Sequence, residues 1–200
     1  MPRPLFVLAM FVACTWGAWQ SWSYRELRQP AGVLVGRAPQ QVPLDGEHAE
    51  IVVDDFRLRP VAQYRIEARL LGRERYRTDA GAALAPLDLA VGWGPMSDTT
   101  VLDALDITQS NRFFHVAWRQ APIPESQIMR HASNMHVIAA TPEVARALDR
   151  MRPGQRIELE GRLVDAVRAD GWKWKSSLSR TDTGAGACEL MWVEQARVLQ

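Results

Sequence analysis

Side chains that could bind a ligand or carry out catalysis concentrate in three short segments of this 200-residue chain, 92–98, 131–136 and 176–189. Each segment combines glycine or small residues with polar and aromatic side chains. If the three segments converge in space, their side chains form one site. The candidate binding residues are, in chain order, Trp93, Asp98, His131, Asn134, His136, Arg180, Asp182, Cys188 and Glu189.

The segment 92–98, Gly-Trp-Gly-Pro-Met-Ser-Asp, has two interpretations. Gly, Pro and a large aromatic side chain this close together are typical of a rigid turn that leaves a strand. As a binding loop, the segment would use Trp93 as a platform and Asp98 as a polar contact. As a corner between a strand and a helix, it would bury Trp93 and use Ser97 or Asp98 as the helix N-cap.

The segment 176–189 joins two predicted strands and is far longer than a hairpin needs. Its glycines would let a ligand approach the backbone, and its hydroxyl groups and Arg180 could hold an anion. It lacks the Gly-Lys-Ser/Thr ending of a phosphate-binding loop, which disfavours nucleotide binding. The alternative is a long loop that is satisfied by its own Ser, Thr and Asp side chains.

The histidines suggest two kinds of chemistry. His131 and His136, with His115 on a neighbouring strand, could bind zinc, but their spacing is not that of a helical ligand pair and no acidic fourth ligand stands out. Cys188 with His131 or His136 could form a nucleophile–base dyad, and a serine could replace the thiol. We therefore expect no metal and no cofactor, and we keep a hydrolase as the alternative to a binding function.

Residues 4–24 carry no charged side chain, whereas Arg3 and Arg25 flank them. An apolar run over 5–13 is followed by three tryptophans and a tyrosine, which prefer the membrane interface. We predict an N-terminal membrane anchor over 1–24, in contact with the lipid bilayer through residues 4–24. A cleaved signal peptide and a lipoprotein acylated at Cys14 are the alternatives. The short N-terminal tail favours a single pass through the inner membrane with the body in the periplasm.

Residues 25–48 are rich in proline and glycine and lack apolar periodicity, which predicts a tether. Residues 49–200 have the length of a single soluble domain. The net charge of +1 gives no general attraction to nucleic acid.

The pattern beyond the tether is mainly strand-like. Asp170-Gly171 predicts a hairpin turn, and Thr141-Pro142 predicts the start of a helix that ends near Met151. A shorter helix is expected between Ser97 and Leu105. The predicted strands are 51–53, 64–70, 87–93, 113–118, 137–139, 157–164, 172–175 and 189–193. The expected fold is mainly β with two short helices, either an OB-like β-barrel or a rolled mixed sheet.

The motifs of the three segments, with Ser-Ser-Leu-Ser-Arg-Thr-Asp-Thr-Gly-Ala-Gly-Ala-Cys-Glu as the longest, resemble those of a family of small, membrane-anchored proteins from Gram-negative bacteria. The likeness covers the chain from about residue 32 onward. It implies an exported domain held at the membrane, and it supplies no activity, substrate or cofactor. We expect a non-enzymatic module that binds an envelope protein or peptide, not nucleic acid. The alternative is an envelope hydrolase that uses Cys188 or a serine with His131 or His136.

Overall fold

A computed structural model of the chain describes residues 6–8, 10, 11, 15, 25–46, 48–179 and 188–200. The strands are β1 (Gln40–Pro43), β2 (Ile51–Val53), β3 (Phe56–Arg75), β4 (Leu87–Gly92), β5 (Asp106–Ser110), β6 (Phe113–Ala117), β7 (Ala132–Ala139), β8 (Arg156–Arg168), β9 (Lys173–Trp174) and β10 (Glu189–Leu199). The helices are a 3-10 helix (Gly94–Ser97), α1 (Thr99–Leu102), α2 (Glu125–Arg130) and α3 (Pro142–Arg150).

Five of the strands pair in a closed ring. β3 pairs with β4, β4 with β7, β7 with β10, β10 with β8, and β8 again with β3. Every pairing is antiparallel except that of β7 with β10, so the sheet is mixed. β1 and β2 extend the sheet beside β3, β9 extends it beside β8, and β5 and β6 form a separate hairpin. The predicted mainly β fold is confirmed, with four short helices instead of two among the described residues after residue 24.

The length and the bends of β3 allow the ring to close. Its 20 residues pair with β8 over 56–69 and with β4 over 69–75. The register shifts between Pro60 and Ala62 and again between Leu70 and Gly72. Such bulges bend a strand, and a bulge is also a place where a strand tolerates a proline that has no N–H to donate. The alternating buried residues of β3 fill the barrel core.

The helix α3 forms as its sequence predicts. The hydroxyl of Thr141 accepts a hydrogen bond from the Val144 N–H at 3.3 Å, and Pro142 occupies the first turn. Val144 and Leu148 belong to the same core cluster as the barrel interior. The helix α3, which follows β7 and precedes β8 in the chain, therefore packs against the barrel core.

The described part of the predicted tether packs on the barrel. The Leu27 N–H donates to the Pro153 carbonyl at 2.8 Å, and the Leu44 N–H donates to the Val61 carbonyl at 3.1 Å. Val35 is 3 % exposed and lies in the core, while β1 pairs with β3. The prediction of a tether over 25–48 is thus corrected: the folded unit includes this segment and does not begin at residue 49.

The predicted anchor lies mostly outside the described residues. Residues 6–8, 10, 11 and 15 have helical backbone, and the apolar side chains of Phe6 and Phe11 are 68 % and 67 % exposed. Within the part of the chain that the structure describes, no helix combines the length and the apolar character of a membrane span.

Replacing Gly154 with alanine should destabilise the protein by about 2–4 kcal/mol, combining left-handed strain with overpacking. Gly154 has φ +88°, and a Cβ there would collide with the backbone of Leu27. The matched control is Gly171→Ala, at φ +91° with no atom within 4 Å, which should cost only about 1–2 kcal/mol. The measurement is denaturant unfolding of the two full-length variants. Equal losses of stability in the two variants would show that the close contact of Gly154 with the Leu27 backbone does not contribute to stability.

Candidate functional site

Polar side chains lie on the outer face of three adjacent strands. All six residues of β4 are buried, and its odd-numbered residues belong to the barrel core, so Asp88 lies on the opposite face. Asp88 is paired across the ladder with His136 of β7, and Leu190 of β10 is paired with His136 on its other side. By the same alternation, Asn134 and Cys188 lie on this outer face.

The carboxylate of Asp88 is completely buried, so it needs partners. It accepts hydrogen bonds from Arg112 Nη1 at 2.8 Å and from Asn134 Nδ2 at 3.2 Å. His136 Nδ1 lies 2.9 Å from Asp88 Oδ1, although it does not approach in hydrogen-bond geometry. The Asp88 carboxylate thus contacts the imidazole of His136, the side-chain amide of Asn134 and the guanidinium of Arg112.

That guanidinium comes from the tip of the β5–β6 hairpin. Asn111 and Arg112 form its two-residue turn with φ +50° and +71°, the left-handed conformations that tight hairpins of this length need. Arg112 Nη1 also donates to the Ala85 carbonyl at 2.8 Å, and Nη2 donates to both carboxylate oxygens of Asp79 at 2.8 and 2.9 Å. The hairpin tip is therefore fixed to the barrel by one side chain.

Further hydrogen bonds hold the β5–β6 hairpin against the outer face of the barrel. Asn134 Nδ2 donates to the Arg112 carbonyl at 2.9 Å, and Gln109 Nε2 donates to Asn134 Oδ1 at 2.7 Å. The thiol of Cys188 lies 3.8 Å from the same Arg112 carbonyl and donates to it. The hairpin thus covers the polar groups of β4, β7 and β10.

Two aromatic rings flank Arg112. Its guanidinium lies 3.9 Å from the ring centroid of Tyr76 and 5.4 Å from that of Trp174, so both rings make cation–π contacts. Trp174 also packs on His136, with ring centroids 4.5 Å apart. The Arg112 N–H donates to Tyr76 Oη at 2.9 Å. We call the following set the polar face: Tyr76, Asp79, Asp88, Arg112, Asn134, His136, Trp174 and Cys188.

The electrostatics of the polar face follow from this packing. Burial raises the pKa of Tyr76. Burial opposes ionisation of Asp79 too, but the hydrogen bonds from Arg112 and from the Gly81 N–H outweigh it and lower the pKa of Asp79. Asp79 and Asp88 therefore share one guanidinium, and His136 lies beside the deeper carboxylate. This arrangement can hold the imidazole of His136 in place on the face that also carries the thiol of Cys188.

Two of the predicted residues lie away from the polar face. Trp93 is 3 % exposed in the core, and its backbone N–H donates to the His131 carbonyl at 2.9 Å. The ladder pairs Gly92 with Ala132, four positions from the Asp88–His136 pair, which is roughly 13 Å along the strand. Trp93 and His131 therefore lie at the other end of β4 and β7 from Asp88 and His136.

Segment 131–136 is also not a loop. Residues from Ala132 onward belong to β7, so the neighbouring side chains alternate between its two faces. Glu189 lies on the same side of β10 as the core residues Met191 and Val193 and accepts a hydrogen bond from the Ser133 hydroxyl. Arg180 and Asp182 lie outside the described residues.

A zinc site would need several ligand side chains close together. His115 is exposed on β6, and its Nε2 lies 3.2 Å from Ser110 Oγ. Among the described residues, no three His, Cys, Asp or Glu side chains are grouped so that they could hold a metal ion.

Five members of the polar face were not predicted: Tyr76, Asp79, Asp88, Arg112 and Trp174. Asp88 had a signal in the sequence, since it is the only charged residue in an otherwise apolar strand, Leu-Asp-Leu-Ala-Val-Gly. A buried charge in such a strand indicates a specific partner. Arg112 had no comparable signal, because a cationic residue at a hairpin tip is usually solvated.

Asp98 acts as a helix cap. Hydrogen bonds from the backbone N–H groups of Thr100, at 2.8 Å, and Gly32, at 3.0 Å, lower the pKa of Asp98. A pKa lowered by folding means that this carboxylate stabilises the fold above its unfolded pKa and stops doing so as the pH falls through its folded pKa.

Asp98→Ala should therefore reduce stability at neutral pH, and the difference from wild type should shrink below about pH 4. Thermal unfolding of both proteins across the acid range measures it. Asp98→Asn, which keeps an N-cap oxygen without the charge, is the control. A difference that does not change with pH would contradict the role of the charge.

Comparisons with known proteins add no identification: no family model, no curated protein and no solved structure matches this chain.

Proposed function

We propose that this protein is a membrane-held binding module of OB type, whose ligand site is the accessible part of the polar face, at Tyr76, Asp79 and Trp174, with the adjoining residues 176–179. In chain order the five barrel strands are β3, β4, β7, β8 and β10, with α3 between the third and the fourth, and the fifth strand pairs with the third and the fourth. This connectivity supports an OB-type barrel over the rolled sheet. The expected place is the inner membrane, with the body in the periplasm.

The position of the polar face is the observation that carries this proposal. OB-type barrels bind their ligands on the face of the second and third strands, between the loop joining strands one and two and the loop joining strands four and five. Here those strands are β4 and β7. Tyr76 and Asp79 come from the first of these loops, and Trp174 and Cys188 come from the second. All of them meet at the polar face.

The charges on the polar face favour a peptide or a protein of the envelope as the ligand. The face carries two carboxylates and one guanidinium, and this guanidinium is already paired with both. Nucleic acid binding needs several unpaired cations along a backbone groove. A mixture of aromatic, carboxylate and amide groups is instead suited to peptide side chains and amides.

A site-specific photo-crosslinker tests the proposal in cells that express the full-length protein. The probe position is Leu178, which is 51 % exposed in the segment next to Cys188, and the matched control is Val198, 47 % exposed on β10. We expect a discrete adduct with an envelope protein or peptide from position 178, and none from position 198. Trp174→Ala should abolish the adduct. Adducts of equal yield at both positions, or none at 178, would contradict a binding site there.

The anchor is tested by fractionation. Because residues 4–24 are uncharged, the mature protein should remain in the membrane pellet after a carbonate wash and should begin at or near Met1. The measurement is mass spectrometry of the purified N-terminus. A soluble protein that lacks about the first 18 residues would instead identify a cleaved signal peptide.

A thiol hydrolase is the second candidate, and the Asp88–His136 contact favours it. A nucleophile–base pair needs a third group that orients the base, and Asp88 Oδ1 lies 2.9 Å from His136 Nδ1. Cys188 is on the same face, although its thiol points to the Arg112 carbonyl. Cys188→Ala separates the two functions, since it should abolish a thiol hydrolase and leave the adduct from position 178 unchanged.

A further inference from the structure

The chain is fixed to one end of the barrel where it leaves the predicted anchor. The Leu27 N–H donates to the Pro153 carbonyl at 2.8 Å, and Gln29 Nε2 donates to the Gly154 carbonyl at 2.9 Å. Arg152 Nη2 donates to the Arg25 carbonyl at 2.9 Å. Residue 25 is only one position beyond the predicted anchor. A barrel held in this way cannot swing on a flexible linker, so this end stays next to the anchor.

This end also carries unpaired positive charge. Arg25 and Arg150 are exposed and Arg152 is half-buried, and none of the three forms an ion pair with a carboxylate of the described residues. The other charges nearby are paired: Arg28 lies 3.5 Å from Asp103, and Glu26 lies 3.6 Å from the buried Arg69. We call residues 25–29 with residues 150–155 the basic end.

The opposite end of the barrel carries charges of both signs. β8 runs from Arg156 to Arg168, a contour of roughly 40 Å. At its far end, the β2–β3 and β8–β9 turns lie together, because Phe56 packs on Trp172 with centroids 5.5 Å apart. Asp54, Asp55, Asp170 and Lys173 are exposed at these turns, and Arg168 is paired with Asp170. The unpaired arginines of the basic end are therefore not matched at this end.

The described apolar residues near the N-terminus are exposed. Phe6, Val7, Leu8, Met10 and Phe11 are each 55–68 % exposed, so the barrel does not bury them. Exposed apolar side chains of this size on one segment mark a surface that another phase or molecule covers.

From these observations we infer that the basic end rests on anionic lipid headgroups, so that the barrel sits upright on the bilayer with the β2–β3 and β8–β9 turns facing away. The inference rests on the membrane anchor of the proposed function. Planar guanidinium groups bind phosphate oxygens in pairs, and juxtamembrane arginines are attracted to anionic lipid surfaces. The net charge of +1 does not reveal this property, because it sums over the whole chain.

The test uses the full-length, isotope-labelled protein in lipid nanodiscs that contain a headgroup nitroxide lipid. One disc is phosphatidylcholine, and the other also contains phosphatidylglycerol. With phosphatidylglycerol, the amide signals of residues 25–29, 151, 152, 154 and 155 should lose most of their intensity, whereas those of Asp54, Asp55 and Gly171 should keep theirs. The loss at the basic end should be smaller in phosphatidylcholine alone.

Two charge-reversal pairs give the matched control. Arg25→Glu with Arg150→Glu should abolish the difference between the two lipids. Arg57→Glu with Lys173→Glu makes the same charge change at the opposite end and should leave the difference intact. Intact signals for residues 151, 152, 154 and 155, or equal losses at both ends, would overturn the inference. A protein that does not enter the disc at all would contradict the anchor itself, which distinguishes failure of the proposed function from failure of the basic end alone.

Discussion

Asp88→Ala should lower the free energy of unfolding by about 3–5 kcal/mol, because it leaves the largely buried charge of Arg112, which is 14 % exposed, with only one carboxylate partner. Asp88 is completely buried and bonded to Arg112 and Asn134. Its loss also removes the side chain that joins the hairpin tip to β4. Denaturant unfolding of the full-length protein measures the change, and Asp88→Asn provides a milder variant if the alanine protein does not fold.

The control for Asp88 is a surface carboxylate. Glu50 is 48 % exposed and lies 3.4 Å from Arg57, so Glu50→Ala should cost less than about 1 kcal/mol. The double variant Asp88→Leu with Arg112→Leu removes both charges together and should be less destabilised than Asp88→Ala. A single-variant loss no larger than that of Glu50→Ala would show that the polar face does not hold the hairpin.

Arg69→Ala should be the second most damaging change, with a loss of about 3 kcal/mol and release of residues 26–35 from the barrel. The guanidinium is 2 % exposed, and it donates to Thr99 Oγ1 at 2.6 Å and to the Ser97 carbonyl at 3.3 Å. Burial lowers the pKa of Arg69, because Glu26, at 3.6 Å, offsets only part of the lost hydration. Denaturant unfolding of the full-length protein and amide hydrogen exchange at Leu27 and Val35 together measure the change.

Arg69→Met distinguishes packing from hydrogen bonding, since it keeps much of the length of the side chain without its donors. Equal losses in the two variants would assign the effect to the hydrogen bonds, whereas a stable methionine variant would assign it to packing. Arg57→Ala, at a side chain that is 68 % exposed, is the surface control. Fast proteolysis within 26–35 should occur only in the Arg69 variants. Unchanged exchange at Leu27 and Val35 would contradict the role of Arg69.

Local patterns in the sequence predicted the elements well. The Thr141-Pro142 start, the Asp170-Gly171 turn and the alternation in β3 and β8 each depend on a few adjacent residues, and all of these elements form. Asp98 illustrates the same point, since its capping role was one of two interpretations and the structure places it at the N-cap of α1. β1, β5 and α2 were missed because short elements with little periodicity depend on tertiary packing.

The candidate site was predicted only in part. Asn134, His136 and Cys188 were named from the sequence, and they belong to the polar face. Trp93 and His131 were grouped with them because all lie in segments dense in polar and aromatic residues. A high density of polar and aromatic residues along the chain does not show which end of a strand a residue occupies. It also does not show on which of the two faces of the strand the side chain lies.

By itself, the sequence determined where strands, turns and the capped helix form, and that residues 4–24 are uncharged over one bilayer length, because these properties depend on neighbours in the chain. Only the tertiary structure decided that β3 closes the ring with β8, that residues 25–46 pack on the barrel, and that Arg112 reaches Asp88. The reason is physical: ring closure and burial of a charge pair join residues 24 to more than 90 positions apart, and their energies depend on distance in space, which no local pattern records.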